Sequence, residues 1–374
     1  MYRNVFGTEL ESDLVELKTE DGARVYGTLV WRARAQPTTG VLSMHPGSHG
    51  FRHFSLDGLG EVGLAALRLR SRFAGDDSTL IMEEVMLDIA AGVKFLREWG
   101  CKKVALFGHS GGGPLMAFYQ SQAESPDVTA TPAGDPPDLT KAELPKADAI
   151  VTSGAHLGRH RSLAARIDPA AVDETDPFAT DADLDMYNPK NGPPYTQEFL
   201  TRYRAAQLAR MERITSWAQA KLDGIKKINH PVMRDLPFIV WRTEADPLYL
   251  DPTIEPNERT LGNNRGDDTF ALNYAPKAQG RFTTLRSWLS QWSYSTANAD
   301  TLKHIARIDV PLLVTHGTAD RSPMSHARKI YDAAGTRDKT LYWAKGATHY
   351  YRGQNDLLLR TCATIKEWLQ ARGM

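Results

Sequence analysis

The sequence predicts a doubly wound α/β protein with a mostly parallel sheet. Short β-rich runs alternate with amphipathic helical segments over residues 25–152 and again over residues 310–370. A stretch of about 150 residues between them breaks this alternation. We therefore expect an α/β core of residues 1–154 and 301–374, with a large, mainly helical cap of residues 155–300 inserted after the sixth strand.

The first part of the core contains four β-rich runs, at residues 25–32, 41–44, 64–69 and 104–107. A helix is predicted over residues 79–99, because apolar side chains recur at every fourth position, at Ile81, Val85, Ile89 and Val93. Ser78 or Asp77 is expected to cap its start, and Gly100 to end it.

The next helix should begin just after Ser110 and reach about residue 122, since proline is tolerated in a first turn at Pro114. A loop rich in proline and aspartate follows at residues 125–145. The remaining core elements are strands at residues 147–152, 310–315 and 340–343 and helices at residues 325–334 and 354–370.

The predicted cap is rich in aromatic residues at roughly helical spacing. We expect it to form a lid over the catalytic serine. Trp217, Trp288 and Trp292 are candidate contacts for a medium-sized, partly apolar or aromatic substrate. Packing of these side chains within the cap is the alternative interpretation.

Composition points to a small-molecule partner. The 374 residues contain 45 Lys plus Arg and 45 Asp plus Glu, so overall charge gives no reason to expect nucleic acid or an anionic membrane. Two cysteines, Cys101 and Cys362, are too few for a disulfide framework. With no apolar leader or long apolar span, we expect a cytoplasmic protein, and a homo-oligomer is left open.

No cofactor or metal is expected. The GHSGGG segment lacks the spacing of a dinucleotide-binding loop, because Ser110 stands in the place of the second glycine. His156 and His160 are four residues apart, but a zinc site needs at least a third ligand.

The strongest motif is G-x-S-x-G, formed by Gly108, Ser110 and Gly112 between a strand and a helix. A sharp turn there requires small residues on both sides of the serine and projects its hydroxyl above the sheet. The amide of Gly111 would lie at a helix N-terminus, where the helix dipole favours an oxyanion.

The order of these segments resembles the α/β-hydrolase superfamily over residues 20–155 and 300–372. A His-Pro-Gly turn follows one strand, the G-H-S-G-G elbow follows another, and H-G-T-A-D and G-A-T-H follow the last two. The resemblance implies a triad in the order serine, acid, histidine: Ser110 as nucleophile, Asp320 as acid and His349 as base. Glu244 and Asp246, after another short β-rich run, are the competing acids.

The family also donates an oxyanion contact from the loop after its third strand. Here Pro46 has no N–H, so Gly47 is the expected donor and Ser48 the reserve. Ser48, His49 and His109 complete the candidate substrate contacts, although packing or hydrogen bonding is the favoured interpretation for His109 and surface exposure for His49.

The resemblance implies a serine hydrolase that cleaves a carboxylic ester through an acyl-enzyme on Ser110. A thioesterase, an acyltransferase and a carbon–carbon bond hydrolase would use the same triad, and fold alone does not choose among them. A non-catalytic ligand-binding protein of the same fold is the remaining alternative.

Overall fold

A computed structural model describes residues 1–276 and 278–374. Its main sheet has nine strands in the spatial order β1-β2-β3-β5-β4-β6-β7-β10-β11. In chain order these are β1 (Tyr2–Arg3), β2 (Glu9–Lys18), β3 (Arg24–Arg32), β4 (Thr39–Ser43), β5 (Ala65–Leu69), β6 (Lys103–His109), β7 (Ala149–Ser153), β10 (Leu312–Gly317) and β11 (Lys339–Ala344). The strands from β5 to β11 in this order are parallel, whereas β1, β2 and β3 are antiparallel to their neighbours.

Helices cover both faces of this sheet, as the sequence predicts. On one face lie α1 (Phe54–Glu61) and α10 (Asn355–Gln370), with apolar side chains packed on the strands. On the other face lie α2 (Met82–Glu98), α3 (Gly112–Glu124) and α9 (Met324–Ala333). A sheet buried on both faces explains why β4, β5 and β7 are buried at every residue.

The N-terminal strands are the main part of the sheet that sequence reasoning missed. Strand β2 lies next to the edge strand β1. Only its Leu10 and Val15 are buried, and charged residues occupy most of its other positions. The apolar signal is therefore weak even though nine residue pairs join β2 to β3. With β1 and β2 counted, the insertion follows the seventh strand in the chain.

The start of α2 also differs from the prediction. The helix begins at Met82, and neither Ser78 nor Asp77 caps it. The N–H of Met82 instead donates to Ser290 Oγ at 2.8 Å, across a sequence separation of 208 residues. A cap supplied from so far along the chain leaves no local signal.

Between β7 and β10 the chain leaves the main sheet. This region holds α4 (Arg159–Ala164), the long α5 (Gln197–Ile228), a two-stranded sheet of β8 (Pro237–Ile239) and β9 (Phe282–Thr284), and the shorter α6 (Thr269–Tyr274), α7 (Leu285–Ser287) and α8 (Thr301–Ile305). A π-helical turn, Trp288–Trp292, follows α7. Helices outnumber strands, and long irregular segments connect them. In the described parts of the chain, no helix is both long enough and apolar enough to cross a lipid bilayer.

Candidate active site

Three parallel strands of the sheet end at the same edge. Ser153 of β7 is in register with His109 of β6 on one side and with Thr315 of β10 on the other. The residues that follow these strand ends are therefore neighbours in space. This is why Ser110 and the loop that carries Asp320 meet, although 210 positions separate them in the chain.

Ser110 occupies a strained turn between β6 and α3. Its φ is +52°, a left-handed conformation that is uncommon for serine. The turn requires glycine around it: a Cβ at Gly108 would lie 2.7 Å from the carbonyl oxygen of Gly112, and a Cβ at Gly112 would lie 2.4 Å from that of Met44. The N–H of Ser110 donates to the Ser153 carbonyl at 3.0 Å. The motif is thus a tight turn that holds the hydroxyl at the sheet edge.

Asp320 and His349 form a buried pair. The distance from His349 Nδ1 to Asp320 Oδ2 is 2.8 Å, and Asp320 Oδ1 accepts the N–H of Ser322 at 2.7 Å. Asp320 is 1% exposed. Burial alone would raise the pKa of its carboxyl group, but the charge and hydrogen bond of His349 outweigh burial and lower it. Asp320 is therefore ionised at neutral pH and orients the imidazole.

The loop that carries His349 is fixed from two sides. Ala319 N–H donates to the Ala347 carbonyl at 3.1 Å, which ties this loop to the Asp320 loop. At the end of β6, His109 Nε2 lies 2.9 Å from the carbonyl oxygen of His349. Burial lowers the pKa of His109 to about 3, so its ring is neutral and donates this hydrogen bond through Nε2.

Ser110 and His349 line the same cavity of about 190 Å³. Among the described residues the one side-chain hydrogen bond of His349 joins its Nδ1 to Asp320, so the Ser110 hydroxyl is not bonded to it. A serine–histidine hydrogen bond is often loose without substrate. We call this space the arginine cavity, because it is lined by Arg159, Arg161, Arg166, Arg265 and Arg321. A second cavity of about 260 Å³ reaches Ser110 from the side of His53, Arg68 and His109.

Comparison with solved structures agrees with this architecture. A hypothetical protein from Pseudomonas aeruginosa superposes with a TM-score of 0.55 at 14% identity, covering 98% of this chain and 95% of its own. DcsB, solved in complex with its substrate analogue, gives a TM-score of 0.55 at 12% identity, with 96% and 99% covered. The esterase domain of a Rhodothermus marinus protein gives 0.48 at 14% identity, with 96% and 97% covered. No protein-family model matches the sequence, and no curated protein matches it significantly.

The chain has the α/β-hydrolase fold. Its strand order, the serine turn after β6 and the acid and histidine loops after β10 and β11 are the features that carry the assignment. The resemblance stated from sequence is confirmed at the level of fold, including the parallel sheet with helices on both faces.

In this α/β-hydrolase fold Gly111 is the N-cap residue of α3, at the helix N-terminus that the sequence predicts. Its N–H makes no hydrogen bond within the described part of the chain. A side chain at Gly111 is excluded, because a Cβ would lie 2.7 Å from His45 Nε2 and 3.2 Å from His156 Nε2. With no hydrogen bond of its own, the amide stays the predicted oxyanion donor, although Gly111 is buried and lines neither cavity at Ser110.

The predicted second donor is Gly47. A Cβ on Gly47 would lie 2.7 Å from Cβ of Asp77, and the carbonyl of the preceding Pro46 accepts a hydrogen bond from Ser71. Like Gly111, Gly47 lines neither cavity beside Ser110, so its role as donor stays a prediction. The reserve residue Ser48 lines the second cavity.

The structure places the three predicted tryptophan contacts away from Ser110. Trp288 and Trp292 are buried in an apolar cluster inside the insertion, and Trp217 packs edge-on against Phe238 with 40% of its surface exposed. None of the three lines a cavity that reaches Ser110. The apolar stripes pack the insertion internally, and polar side chains face the serine instead. His49 is exposed and lines neither cavity.

The competing acids have structural partners. Asp246 Oδ1 accepts from Arg204 Nη2 at 2.6 Å and from the N–H of Leu248 at 3.2 Å. Glu244 is ion-paired with Arg265 and accepts from Asn263 Nδ2 at 2.9 Å. Asp246 lines the arginine cavity, but it is Asp320 that contacts His349.

Sequence reasoning missed several residues that line the arginine cavity, chiefly His156, Arg166, Tyr249 and Tyr350. They come from the segment after β7, from the insertion and from the residue after His349. Only Tyr350 had a local signal, its position beside the base. Within the described residues, no group of three or more His, Cys, Asp or Glu side chains is arranged to hold a metal ion.

Proposed function

We propose that this protein is a serine hydrolase that cleaves a carboxylic ester through an acyl-enzyme on Ser110. One observation carries the proposal: a strained serine shares a cavity with a histidine whose Nδ1 is held by a buried carboxylate at 2.8 Å. Serine is a weak nucleophile until a base takes its proton, and this arrangement supplies the base and its orienting acid.

In the proposed reaction Ser110 Oγ attacks the ester carbonyl carbon, and its proton passes to His349 Nε2. The carbonyl oxygen becomes an oxyanion stabilised by the N–H of Gly111 at the start of α3. A second donor would come from the segment of His45 and Ser48, because these residues line the cavities at Ser110.

Collapse of this intermediate breaks the bond to the alcohol, which leaves with the proton from His349. Water then gives a proton to His349, attacks the acyl-enzyme and releases the acid, and Ser110 regains its proton. The small volume of the arginine cavity, about 190 Å³, favours a short ester over a long-chain one.

The test is labelling of the purified protein with a fluorophosphonate, with the modified peptide located by mass spectrometry. We expect an adduct on Ser110 that disappears in Ser110→Ala and is greatly slowed in His349→Ala. A folded wild-type protein that gives no adduct would contradict an activated serine and favour the ligand-binding alternative.

A further inference from the structure

The arginine cavity carries more positive charge than its carboxylate neighbours balance. Four of its five arginines have a carboxylate partner: Arg159 pairs with Asp77, Arg161 with Asp300, Arg265 with Glu244 and Arg321 with Asp267. The fifth arginine, Arg166, is the exception.

Within the described residues, Arg166 has no carboxylate oxygen within salt-bridge distance, and its one side-chain hydrogen bond joins Nη1 to Gln279 Oε1 at 2.7 Å. Glu244 and Asp246 act on its charge from further away, but each is bonded to another arginine. A guanidinium has five N–H donors. Arg166 therefore keeps both charge and donors for a ligand.

Tyr249 adds a second unused donor on the wall of this cavity. Its side chain is 3% exposed, and its hydroxyl has no hydrogen-bond partner among the described residues. Burial raises the pKa of Tyr249, so the hydroxyl keeps its proton at neutral pH. Leaving a buried hydroxyl unpaired costs about 1–3 kcal/mol, which a ligand oxygen would offset.

The insertion holds Arg166 in place. From α5, Arg204 Nη1 donates to the Ala165 carbonyl at 2.7 Å and Gln207 Nε2 donates to the Ile167 carbonyl at 2.8 Å. The backbone is therefore fixed on both sides of Arg166. A recognition group fixed in this way loses little conformational freedom when it binds.

We propose that Arg166 and Tyr249 bind a carboxylate of the substrate, so that the ester cleaved at Ser110 is a small ester with a free carboxylate. This inference rests on the proposed hydrolase function. A planar guanidinium binds a carboxylate through two parallel hydrogen bonds, and the phenol supplies a third. A neutral ester would leave these groups unpaired, so the cavity selects against it.

The carboxylate could belong to the acyl part or to the alcohol part of the ester, and two substrate pairs separate these cases. For the acyl side, 4-nitrophenyl hydrogen succinate is compared with 4-nitrophenyl butyrate. For the alcohol side, acetoxyacetic acid is compared with propyl acetate. The charged and neutral members of each pair differ chiefly by the carboxylate.

We expect wild-type protein to have the higher kcat/KM for the charged member of one pair. In Arg166→Gln the charged-to-neutral ratio for that pair should fall roughly 10-fold or more, mainly through KM. Tyr249→Phe should lower the ratio by a smaller factor, and Arg166→Lys should restore part of it. The pair that responds assigns the carboxylate to acyl or alcohol.

Arg307→Gln is the control, because Arg307 is paired with Asp127 and lines neither cavity at Ser110. Its ratio should equal that of wild type. Turnover of the neutral ester by each variant shows that the variant is folded. A wild-type preference for both neutral esters, or a ratio that Arg166→Gln leaves unchanged, would overturn the carboxylate site.

A binding measurement on protein that lacks the nucleophile separates the carboxylate site from the proposed hydrolase function. Succinate titrated into Ser110→Ala protein by calorimetry should bind, and the added Arg166→Gln substitution should weaken it roughly 10-fold or more. If succinate binds in this Arg166-dependent way while none of the four esters is cleaved, the ester hydrolysis is wrong and the anion site stands. If the esters are cleaved and succinate affinity does not depend on Arg166, the assignment of the anion site is wrong.

Discussion

Gly154 shows how closely backbone packing controls the proposed triad. It follows β7 with a φ of +51°, and a Cβ there would lie 2.9 Å from Asp320 Oδ2 and 3.3 Å from His349 Nδ1. Even a methyl group would push the acid and the base apart. The contact of Gly154 with this pair left no signal in the sequence, because it joins residues far apart in the chain.

We therefore expect Gly154→Ala to lower kcat roughly 100-fold with a smaller change in KM, since small displacements of catalytic groups have large effects. The control is Gly63→Ala, which has a φ of +89° but no atom within 4 Å of the added Cβ. Its melting temperature should fall because of the backbone strain, whereas its kcat should be normal. Equal loss of kcat in both variants would assign the effect to strain alone.

The choice of acid gives a second prediction at this scale. Asp320→Asn should lower kcat by roughly 10⁴-fold, because the amide no longer fixes the tautomer of His349. Asp246→Asn should retain turnover and instead lower stability, since it weakens a pair with Arg204 that lies 2.6 Å apart. Steady-state kinetics and urea unfolding of both variants test this. Activity lost only in Asp246→Asn would reverse the assignment.

Sequence could predict the residues of the proposed triad because each has a local motif: the glycine-serine turn, H-G-T-A-D and G-A-T-H. It could not predict Arg166 and Tyr249, which are 83 positions apart and lie in segments without a recognisable pattern. Gly47 illustrates a third case. Its residue type suits an amide donor, but its close approach to Asp77, 30 positions away, left no signal in the sequence.

Among the elements, α2 and the π-helical turn show how the insertion stabilises the core. Ser290 Oγ accepts the N–H of Met82 and donates to Glu83 Oε2 at 2.7 Å, so one hydroxyl serves the first two residues of the helix. Burial raises the pKa of Glu83, which makes this hydrogen bond more important to its charged form.

Ser290→Ala should lower the free energy of unfolding by about 1–2 kcal/mol, the usual effect of removing a helix N-cap. Ser295→Ala is the matched control, because Ser295 is exposed and donates to Glu212 at 3.0 Å. Its unfolding free energy should change little. Equal midpoints for wild type and Ser290→Ala in urea would show that the cap contributes nothing.

Most helices and parallel strands follow from periodicity, because their apolar faces are packed against the sheet. The predicted start of α2 was wrong by three residues because its cap is tertiary. Strand β2 left almost no apolar signal, and the aromatic stripes of the insertion were real but pack inward. Periodicity identifies a buried face without saying what buries it.

For the whole molecule, buried histidines predict sensitivity to acid. Burial lowers the pKa of His45, His53, His109, His156, His304, His316 and His326, to about 3 for His109 and His326 and about 4 for His304. The unfolded chain, with histidine pKa values near 6.5, binds more protons than the folded one between these limits. The contribution of these rings to the free energy of unfolding is therefore complete above pH 6.5 and decreases as pH falls toward 3.

Each such ring should lower the unfolding free energy by on the order of 1 kcal/mol per pH unit below 6.5. We expect the urea midpoint to fall between pH 8 and pH 5, a range above the titration of ordinary carboxylates. His304→Gln removes one contributor far from Ser110 and should reduce the fall. A midpoint independent of pH across this range would contradict neutral burial of these rings.

The two cavities that meet at Ser110 bear on the order in which the product leaves and the acceptor enters. Both are lined by Ser110, so in the proposed reaction the alcohol could depart through one of them while the other holds the acyl group. The vacated space then admits whichever molecule arrives next. If water arrives, the outcome is hydrolysis; if a small alcohol or thiol fits the space, the acyl group passes to it. The acceptor that occupies the vacated cavity, rather than any change in the triad, would thus decide between hydrolysis and acyl transfer.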